Sequence, residues 1–520
     1  MPEELLKIIK SKVKPEWKLA FFSTLLIGLL THFYVFMHRY PNHDGLHNLY
    51  SSQAMVTSGR FFLGPASSLS SFFDLPWVIG ILSVIFLSFT TICMVYLFNV
   101  RKKLSIILIS GIVVTFPSVS ATFSYMFTAD GYMLGIFMAT LAVVLTKRYK
   151  KFGFILGAIL VCLAVGIYQA NLSVTLTFVT FWVIHEIIFS SNSLKQIWGN
   201  ILRSVVMVGI GMVGYLVVFK FFTKFLAVEI SSYQGLDKVG SITLNQIPTR
   251  ISQIITELKT FFFRGFFNNV DVTLLDILNL LLLCILVIGV LIIGIKNKLF
   301  LKPGKLATLV VCIVTLPFSY YIAYFASPNV FYHMLMVFGL SSVYIFIVLL
   351  YDAMEDRPKL KIERVNAWAS TVLIACTIFN FGLIANIAYM NMEIRYEKSI
   401  SFANRLVDRI EQLDDFDKIE KMAVYGNVSM NSKLTSEIIP NRIPTMTGST
   451  GETFFYKYYS YPELIDQFLG LSFEPVTNEE LDSIQQTEEY KKMGIWPADN
   501  SVKVIGNTVV VKFEELEILE

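Results

Sequence analysis

The residues with the strongest chemical character cluster in a short polar segment near the start of the sequence. The segment reads His38-Arg39-Tyr40-Pro41-Asn42-His43-Asp44-Gly45-Leu46-His47. Asp44 stands between two imidazoles, His43 and His47, and a carboxylate in that setting is suited to accept a proton from a hydroxyl group. The alternative is a structural role, in which Asp44 caps an amphipathic helix that runs to about Val56.

The same segment also raises the question of a metal site. His43 and His47 are four residues apart and would share one face of a helix, with His38 close by, and imidazoles in such a pattern can bind zinc. No separately anchored fourth ligand or supporting partner is evident in the sequence. We therefore predict no metal site here, while leaving a divalent cation open as an alternative.

A few further polar residues stand in apolar surroundings. Arg60 follows Ser58-Gly59, Asp130 is the one charge of the stretch from Phe123 to Gly131, and Tyr168-Gln169 interrupts two apolar runs. Isolated polar groups of this kind often face a functional cavity. Each also has a structural explanation, namely a helix cap for Asp130 and an interfacial tyrosine for Tyr168.

Arg264 lies inside the run Phe261-Phe262-Phe263-Arg264-Gly265-Phe266-Phe267. The preceding residues Ile251, Ile254, Ile255 and Leu258 have helical spacing, which predicts an interfacial helix over 242–263. An arginine among six phenylalanines either extends its guanidinium to lipid phosphates or binds the phosphate of a lipid-linked substrate.

The elements that must position these residues are membrane helices. Of the 520 residues, 54% are apolar and only 16% are charged, and the mean hydropathy is +0.60, which excludes an ordinary soluble enzyme. A span needs about 20 apolar residues. Eleven runs qualify: 19–37, 76–98, 104–122, 131–146, 152–169, 171–189, 205–222, 273–293, 306–326, 333–351 and 367–389. No phosphate-binding loop or dinucleotide fingerprint is present, and we expect no nucleic-acid partner.

The charges predict the orientation. With the N-terminus in the cytoplasm, the inner loops carry 22 Lys and Arg residues against 7 in the outer loops. The long loops 38–75 and 223–272 then lie outside, as does the acidic segment 391–520. We predict a helical, polytopic membrane domain over 1–390 and a small α/β extracytoplasmic domain over 391–520.

Within 391–520 the sequence predicts four elements. They are an amphipathic helix over Glu393–Phe416, a strand over Met422–Tyr425, a helix over Asn478–Lys492, and a hairpin over Ser501–Phe513 that turns at Gly506-Asn507. The five cysteines all fall inside predicted spans, where we expect them to pack as small apolar side chains.

A many-span chain with an aspartate in its first outer loop and a small outer C-terminal domain resembles the GT-C class of glycosyltransferases. More narrowly, it is similar to the bacterial glucosyltransferase II family. The matching stretches are Asn42-His43-Asp44 with Ser58-Gly59-Arg60-Phe61, Tyr168-Gln169-Ala170, and Lys421-Met422-Ala423-Val424-Tyr425-Gly426. Family members tend to have paired acidic residues in the first loop, whereas this chain has His43-Asp44.

The resemblance implies a hexosyltransferase of the bacterial cytoplasmic membrane, with glucose as the expected sugar. The donor would be a polyprenyl-phosphate-linked hexose, and the acceptor a surface polysaccharide such as O-antigen or a lipid-linked glycan. No other cofactor is expected. Asp44 would act as the base of an inverting reaction at the outer face. The expected substrate contacts are His43, His47, Arg60, Asp130, Tyr168, Gln169 and Arg264.

A transporter or flippase for a lipid-linked saccharide is the main rival. Transporters usually place ionisable groups at mid-membrane depth, often in broken helices. In this sequence the span interiors carry almost no charge, and the polar candidates lie toward the outer face. That distribution favours chemistry at the membrane surface.

Overall fold

The computed structural model describes residues 2–268, 270–355, 360–427, 443–450 and 460–515. The chain divides into two compact units. The first, here the membrane unit, comprises Met1–His38, Ser51–Asn386 and Asn441–Pro444. The second unit comprises Arg39–Tyr50, Ile387–Pro440 and Thr445–Glu520. The polar segment with Asp44 therefore belongs to the second unit, although it lies between two parts of the membrane unit in the sequence.

Helices α1 to α15 precede the long helix α16, Lys361–Glu411, which contributes to both units. Their bounds are α1 Pro2–Lys12, α2 Pro15–Met37, α3 His43–His47, α4 Leu63–Ser67, α5 Pro76–Leu97, α6 Lys103–Thr115, α7 Pro117–Phe123, α8 Ala129–Arg148, α9 Gly153–Ile167, α10 Asn171–Phe189, α11 Leu194–Phe225, α12 Ile247–Phe267, α13 Leu274–Lys296, α14 Pro303–Tyr320 and α15 Ser341–Asp352.

The described residues contain nine helical segments that are long and apolar enough to cross a membrane, which confirms a polytopic membrane protein. Two of the eleven predicted spans are shorter: one is Gly153–Ile167 and the other Phe338–Asp352. The segment over 103–123 consists of α6 and α7. It breaks at Phe116 because Pro117 lacks the N–H that would continue the helical ladder and instead begins α7.

Burial separates central helices from peripheral ones within the membrane unit. The most apolar window of Lys103–Phe123 is 89% buried, so this segment forms the centre of the unit. The corresponding windows of α11, α13 and α14 are only 17%, 33% and 28% buried. Exposed leucine, valine and isoleucine on these three helices are the surface expected to contact lipid.

The outer loops are more irregular than predicted. The expected amphipathic helix from Asp44 to Val56 is wrong: α3 ends at His47 and only a short 3-10 turn, Val56–Ser58, follows. The helix expected over 242–263 is present as α12, although its backbone departs from helical geometry at Phe263, where φ is −143°.

The second unit contains the end of α16 and a three-stranded sheet. The predicted separate helix over Glu393–Phe416 is wrong, since α16 continues without a break to Glu411. No proline or glycine interrupts the sequence between Gly382 and Glu411, and a helix can therefore propagate from the apolar span into the polar region.

Strands β1, Lys421–Tyr425, β2, Val502–Ile505, and β3, Thr508–Lys512, form a sheet in the order β1-β3-β2. β1 runs parallel to β3, with Met422 opposite Val509, and β2 runs antiparallel to β3, with Val502 opposite Val511. The predicted turn at Gly506-Asn507 joins β2 to β3, and Gly506 adopts the left-handed φ of 66° that such a turn requires.

Apolar side chains cover both faces of this sheet. Phe402, Leu406 and Ile410 of α16 pack with Val509 and Val511 on one face, and Tyr425, Tyr490 and Val510 pack on the other. The remaining helices are α17, Tyr461–Leu469, α18, Asn478–Gln485, and α19, Glu488–Lys491. The predicted helix over Asn478–Lys492 is thus two helices, because Thr487 accepts a hydrogen bond from the backbone N–H of Tyr490 and starts α19.

Candidate functional site

A tight loop of the membrane unit presents Arg60. Met55 and Arg60 form an antiparallel bridge, and the N–H of Gly59 donates to the carbonyl of Val56 over 2.9 Å. Gly59 has a φ of +74°, and a Cβ atom at this position would lie 2.5 Å from the Tyr215 hydroxyl oxygen. Only glycine satisfies both the left-handed backbone and the close approach of Tyr215.

The side chains of Gln169 and Tyr215 anchor this loop. Gln169 Nε2 donates to the carbonyl of Ser58 over 2.6 Å and to the Tyr215 hydroxyl over 3.2 Å. The Tyr215 hydroxyl in turn donates to the carbonyl of Gly59 over 3.2 Å. Gln169 was predicted to contact substrate, whereas in the structure its amide holds the backbone next to Arg60.

The side chain of Arg60 lies against two stacked tyrosines. Its Nη1 donates to the hydroxyl of Tyr132 over 3.1 Å, and its guanidinium carbon is 4.9 Å from the centre of the Tyr168 ring. The Tyr132 and Tyr168 rings are stacked, with centres 4.6 Å apart and planes 6° from parallel. A cation over an aromatic face is attracted to the ring's electron density, so this Arg60 site, consisting of Arg60, Tyr132 and Tyr168, is fixed in orientation.

Burial raises the pKa of Tyr168 well above the ordinary tyrosine value, with Arg60 opposing that shift. The phenol of Tyr168 therefore stays protonated throughout the physiological range, and it can act as a hydrogen-bond donor. The Arg60 site combines one fixed positive charge with neutral donors, which is a composition suited to an anionic oxygen such as that of a phosphate.

A second polar group forms around Glu257, on α12. The hydroxyl of Tyr324 donates to Glu257 Oε1 over 2.8 Å. The Tyr324 ring centre is 4.9 Å from that of Tyr332, which in turn is 4.8 Å from that of Tyr321. The N–H of Ala323 donates to the Tyr332 oxygen over 3.0 Å, and this contact leaves the phenolic hydrogen of Tyr332 available to a further acceptor. We call Tyr321, Tyr324 and Tyr332 the tyrosine cluster.

The tyrosine cluster adjoins the Arg60 site. Tyr332 lies close enough to Tyr168 for the two phenols to raise the pKa of Tyr332 through their interaction, although burial is the larger cause. Burial likewise raises the pKa of Glu257, and the bond from Tyr324 opposes that shift. The membrane unit thus brings together a cation, several phenols and a carboxylate, the groups that would recognise a phosphate joined to a polyol.

Two predicted site residues of the membrane unit occupy different surroundings. Asp130 is completely buried, its Oδ1 accepts from the N–H of Gly131 over 2.8 Å, and its Oδ2 has no hydrogen-bond partner among the described residues. Thr128, not Asp130, is the N-cap residue of α8. Arg264 is half-buried and donates from Nη1 to the carbonyl of Ile443 over 2.8 Å, and burial lowers the pKa of its guanidinium.

Asp44 lies in the second unit, in the first turn of the short helix α3. Asn42, not Asp44, caps this helix, since its Oδ1 accepts from the N–H of Gly45 over 2.7 Å. Asp44 Oδ1 is 3.6 Å from Nε2 of the buried His43, and 53% of the Asp44 side chain is exposed. The Asp44 carboxylate is therefore paired with an imidazole on one side and reachable from solvent on the other.

His47 pairs with a different carboxylate, that of Glu463 on α17, through its Nδ1 atom. Each imidazole of α3 therefore has its own acidic partner. Within the described parts of the chain, no group of three or more His, Cys, Asp or Glu side chains is arranged to hold a metal ion.

The residues that sequence reasoning missed are Glu257 and the tyrosine cluster. A signal for Glu257 was available, because it is the single acidic residue of α12 and lies next to the apolar positions Ile254 and Leu258. The tyrosines gave no comparable signal, since aromatic residues at the end of an apolar run are ordinary interfacial residues.

Comparison with known families gives one match. A family model described as "Glucosyl transferase GtrII" matches residues 33–351, more than half of the chain. The matched range includes Asp44, the Arg60 site, Glu257 and the tyrosine cluster. No curated protein and no solved structure gives a significant match.

Proposed function

The chain belongs to the glucosyl transferase GtrII family, and from this premise we propose that it moves a hexose, with glucose as the first candidate, from a polyprenyl-phosphate-linked donor to a glycan acceptor. The acceptor is a cell-surface polysaccharide or a lipid-linked glycan. The reaction takes place at the outer face of the bacterial cytoplasmic membrane. The bond to phosphate in the donor supplies the free energy, and no nucleotide is needed.

The observation that carries this proposal is the Arg60 site. In the transfer reaction a phosphate leaves the anomeric carbon, and negative charge grows on its oxygen in the transition state. An oriented guanidinium stabilises such charge because its donors are fixed before the reaction and need no reorganisation. Arg60 has this orientation through Tyr132 and Tyr168. We assign the donor phosphate to Arg60 in preference to Arg264, whose Nη1 is engaged by a backbone carbonyl.

We retain Asp44 as the base. The acceptor hydroxyl attacks the anomeric carbon, the bond from that carbon to the phosphate oxygen breaks, and the hydroxyl proton passes to the Asp44 carboxylate. The products are the glycoside and polyprenyl phosphate, with inversion at the anomeric carbon. The exposed position of Asp44 supports this role, and His43 at 3.6 Å favours the ionised carboxylate when the imidazole is protonated.

The test is a transfer assay with purified protein, polyprenyl-phosphate sugars that differ in the hexose, and a panel of candidate acceptors. Asp44→Asn should lower the transfer rate by at least about 100-fold, the usual minimum contribution of a positioned base. Asp466→Asn removes an exposed carboxylate of the same unit and is the matched control. Normal transfer by Asp44→Asn protein would overturn the assignment of the base.

The same preparation separates the rival function. A flippase reconstituted in vesicles would move the polyprenyl-phosphate sugar between leaflets and form no glycoside. Movement of the lipid without any product in the presence of every acceptor would overturn the transferase proposal.

A further inference from the structure

Glu257 has no part in the reaction described above, yet it is the one carboxylate that contacts the tyrosine cluster. Its Oε1 accepts the hydroxyl of Tyr324, and its negative charge also acts on the phenols of Tyr321 and Tyr332. A structural ion pair would be the usual reason for a carboxylate in such apolar surroundings. The printed contacts of Glu257 are instead with neutral phenols.

The surroundings of Glu257 are open at one side. Glu257, Tyr332 and Tyr168 are each partly exposed, whereas Tyr321 and Tyr324 behind them are buried. The exposed edges of the three partly exposed residues therefore form a polar and aromatic surface that begins at Arg60. A pyranose ring presents an apolar face to aromatic rings and hydroxyl groups to a carboxylate, and this surface offers both kinds of group.

The order of the groups matches a sugar phosphate. Arg60 is 4.9 Å from the Tyr168 ring, Tyr168 is electrostatically coupled to Tyr332, and Tyr332 is 4.9 Å from Tyr324, which bonds to Glu257. A phosphate at Arg60 would place the hexose attached to it over Tyr168 and Tyr332. The far hydroxyl groups of that hexose would then point toward Glu257.

We infer that Glu257 binds the hydroxyl groups of the donor hexose and, with Tyr332, sets which hexose the protein accepts. This inference rests on the proposed function, because it takes the donor to be a lipid-linked hexose phosphate. Glu257 is a sugar-binding residue and takes no proton in the transfer step. A carboxylate that accepts hydrogen bonds from two neighbouring hydroxyls distinguishes epimers, since the epimer leaves one of those bonds unmade.

The experiment compares two ligands that differ only in the sugar. The affinity of purified protein in detergent for polyprenyl-phosphate glucose and for sugar-free polyprenyl phosphate is measured by thermal stabilisation at increasing ligand concentration. Wild-type protein should bind the glucosylated lipid more tightly. Glu257→Gln and Glu257→Ala should lose about 10- to 100-fold of affinity for the glucosylated lipid, the effect of one or two lost charge-assisted hydrogen bonds, and keep their affinity for the sugar-free lipid.

Three further variants sharpen the result. Arg60→Ala should weaken the binding of both lipids. Tyr332→Phe should resemble Glu257→Gln with a smaller loss. Glu229→Gln, which changes an exposed carboxylate of the same outer segment, should bind both lipids as the wild type does. Retained binding of the sugar-free lipid also shows that a variant is folded.

The inference and the proposed function fail in different ways. Equal affinity of wild-type protein for both lipids, or a Glu257→Gln variant that binds the glucosylated lipid normally, overturns the inference even when transfer is observed. A sugar-dependent affinity that disappears in Glu257→Gln supports the inference, and it does so even if the wild type forms no glycoside with any acceptor, a result that would overturn only the proposed function.

Discussion

Protein groups alone orient the guanidinium of Arg60. Tyr132 accepts one hydrogen bond from it, the Tyr168 ring lies under it, and the bonds of Gln169 and Tyr215 fix the backbone that carries it. Such preorganisation is the feature that separates a catalytic cation from an ordinary surface arginine. The value of Arg60 therefore lies in its geometry as much as in its charge.

Replacing Arg60 with lysine should lower kcat/KM for the lipid-linked donor by about 10- to 100-fold, and alanine should lower it further. Lysine keeps the charge but loses the planar fork and the fixed stacking geometry over Tyr168. Steady-state kinetics with purified protein measure the effect. Arg405→Lys makes the same chemical change at an exposed position of the second unit and serves as the control. Lysine at position 60 with wild-type kinetics would show that charge alone suffices.

Glu257 should make stability depend on pH. Its pKa lies above the ordinary value of 4.5, because burial disfavours the charged form. Folded protein thus binds this proton more tightly than unfolded protein does, and the resulting stabilisation is present at low pH and is lost as the pH rises through the raised pKa. Melting temperatures of wild type and Glu257→Gln, measured in detergent from about pH 4 to about pH 8, should therefore shift in favour of the variant as pH rises.

Two other charged or titratable neighbours bear on that experiment. Arg250 acts on the phenol of Tyr324, and Tyr324 donates to Glu257, but neither changes its protonation in the chosen pH range because both pKa values lie far above it. Melting curves of the two proteins that stay parallel across the range would contradict the raised pKa of Glu257.

At the residue scale the sequence predicted part of the candidate site. Arg60, Tyr168 and Gln169 stood out as isolated polar residues, and the structure does bring Arg60, Tyr168 and Gln169 together. Glu257 and Tyr332 could not be placed beside them, because their proximity depends on how α12 and the segment after α14 pack, and no local pattern encodes that packing.

At the scale of elements, Asn279 joins three helices of the membrane unit. Its Oδ1 accepts the hydroxyl of Tyr344, on α15, over 2.6 Å, and its Nδ2 donates to the carbonyl of Phe262, on α12, over 3.3 Å. Asn279 itself belongs to α13 and is 1% exposed. This side chain therefore ties the helix that carries Glu257 to two helices of the unit.

Asn279→Ala should destabilise the membrane unit by about 1–3 kcal/mol, because it leaves the Tyr344 hydroxyl buried without its acceptor. Tyr344→Phe should cost less, since it removes the hydroxyl together with the need for a partner. A double-mutant cycle on thermal or denaturant unfolding in detergent isolates the pair. Additive effects of the two substitutions would mean that the 2.6 Å contact contributes nothing to stability.

Hydropathy predicted where the apolar helices lie, since that property depends only on local composition. It did not predict how they end. The break at Pro117 and the uninterrupted course of α16 to Glu411 depend on which residues stop a helix, and the short α3 depends on the Asn42 cap together with its packing. Boundaries set by single residues are harder to read than runs of twenty.

For the whole molecule, the charge asymmetry predicts that the N-terminus is cytoplasmic and that the second unit is extracytoplasmic. A polar, membrane-impermeant maleimide should then label cysteines introduced at Asp237 and Lys503 in intact cells, and should label one at Lys150 only after lysis. All three positions are exposed in the structure. The wild-type chain, whose five free cysteines lie in apolar helices, is the control for background labelling. Labelling of Lys150→Cys protein in intact cells would reverse the orientation.

The membership of residues 39–50 in the second unit is a property of the whole chain that sequence reasoning missed. Hydropathy assigns that segment to a loop of the membrane domain, because it follows α2 directly. Which unit a polar loop joins depends on contacts with distant residues, such as the hydrogen bond from Tyr40 to Glu393.

Helix α11 connects the candidate site to the bilayer itself. Its 32 residues would extend about 48 Å, well beyond a hydrocarbon core of about 30 Å, and only 17% of its most apolar window is buried by protein. A helix with that mismatch adjusts its tilt to the thickness of the surrounding lipid. Since Tyr215 of α11 holds the loop that carries Arg60, membrane thickness becomes a physical variable that sets the position of the cation, and the lipid acts as a modulator of the enzyme as well as its solvent.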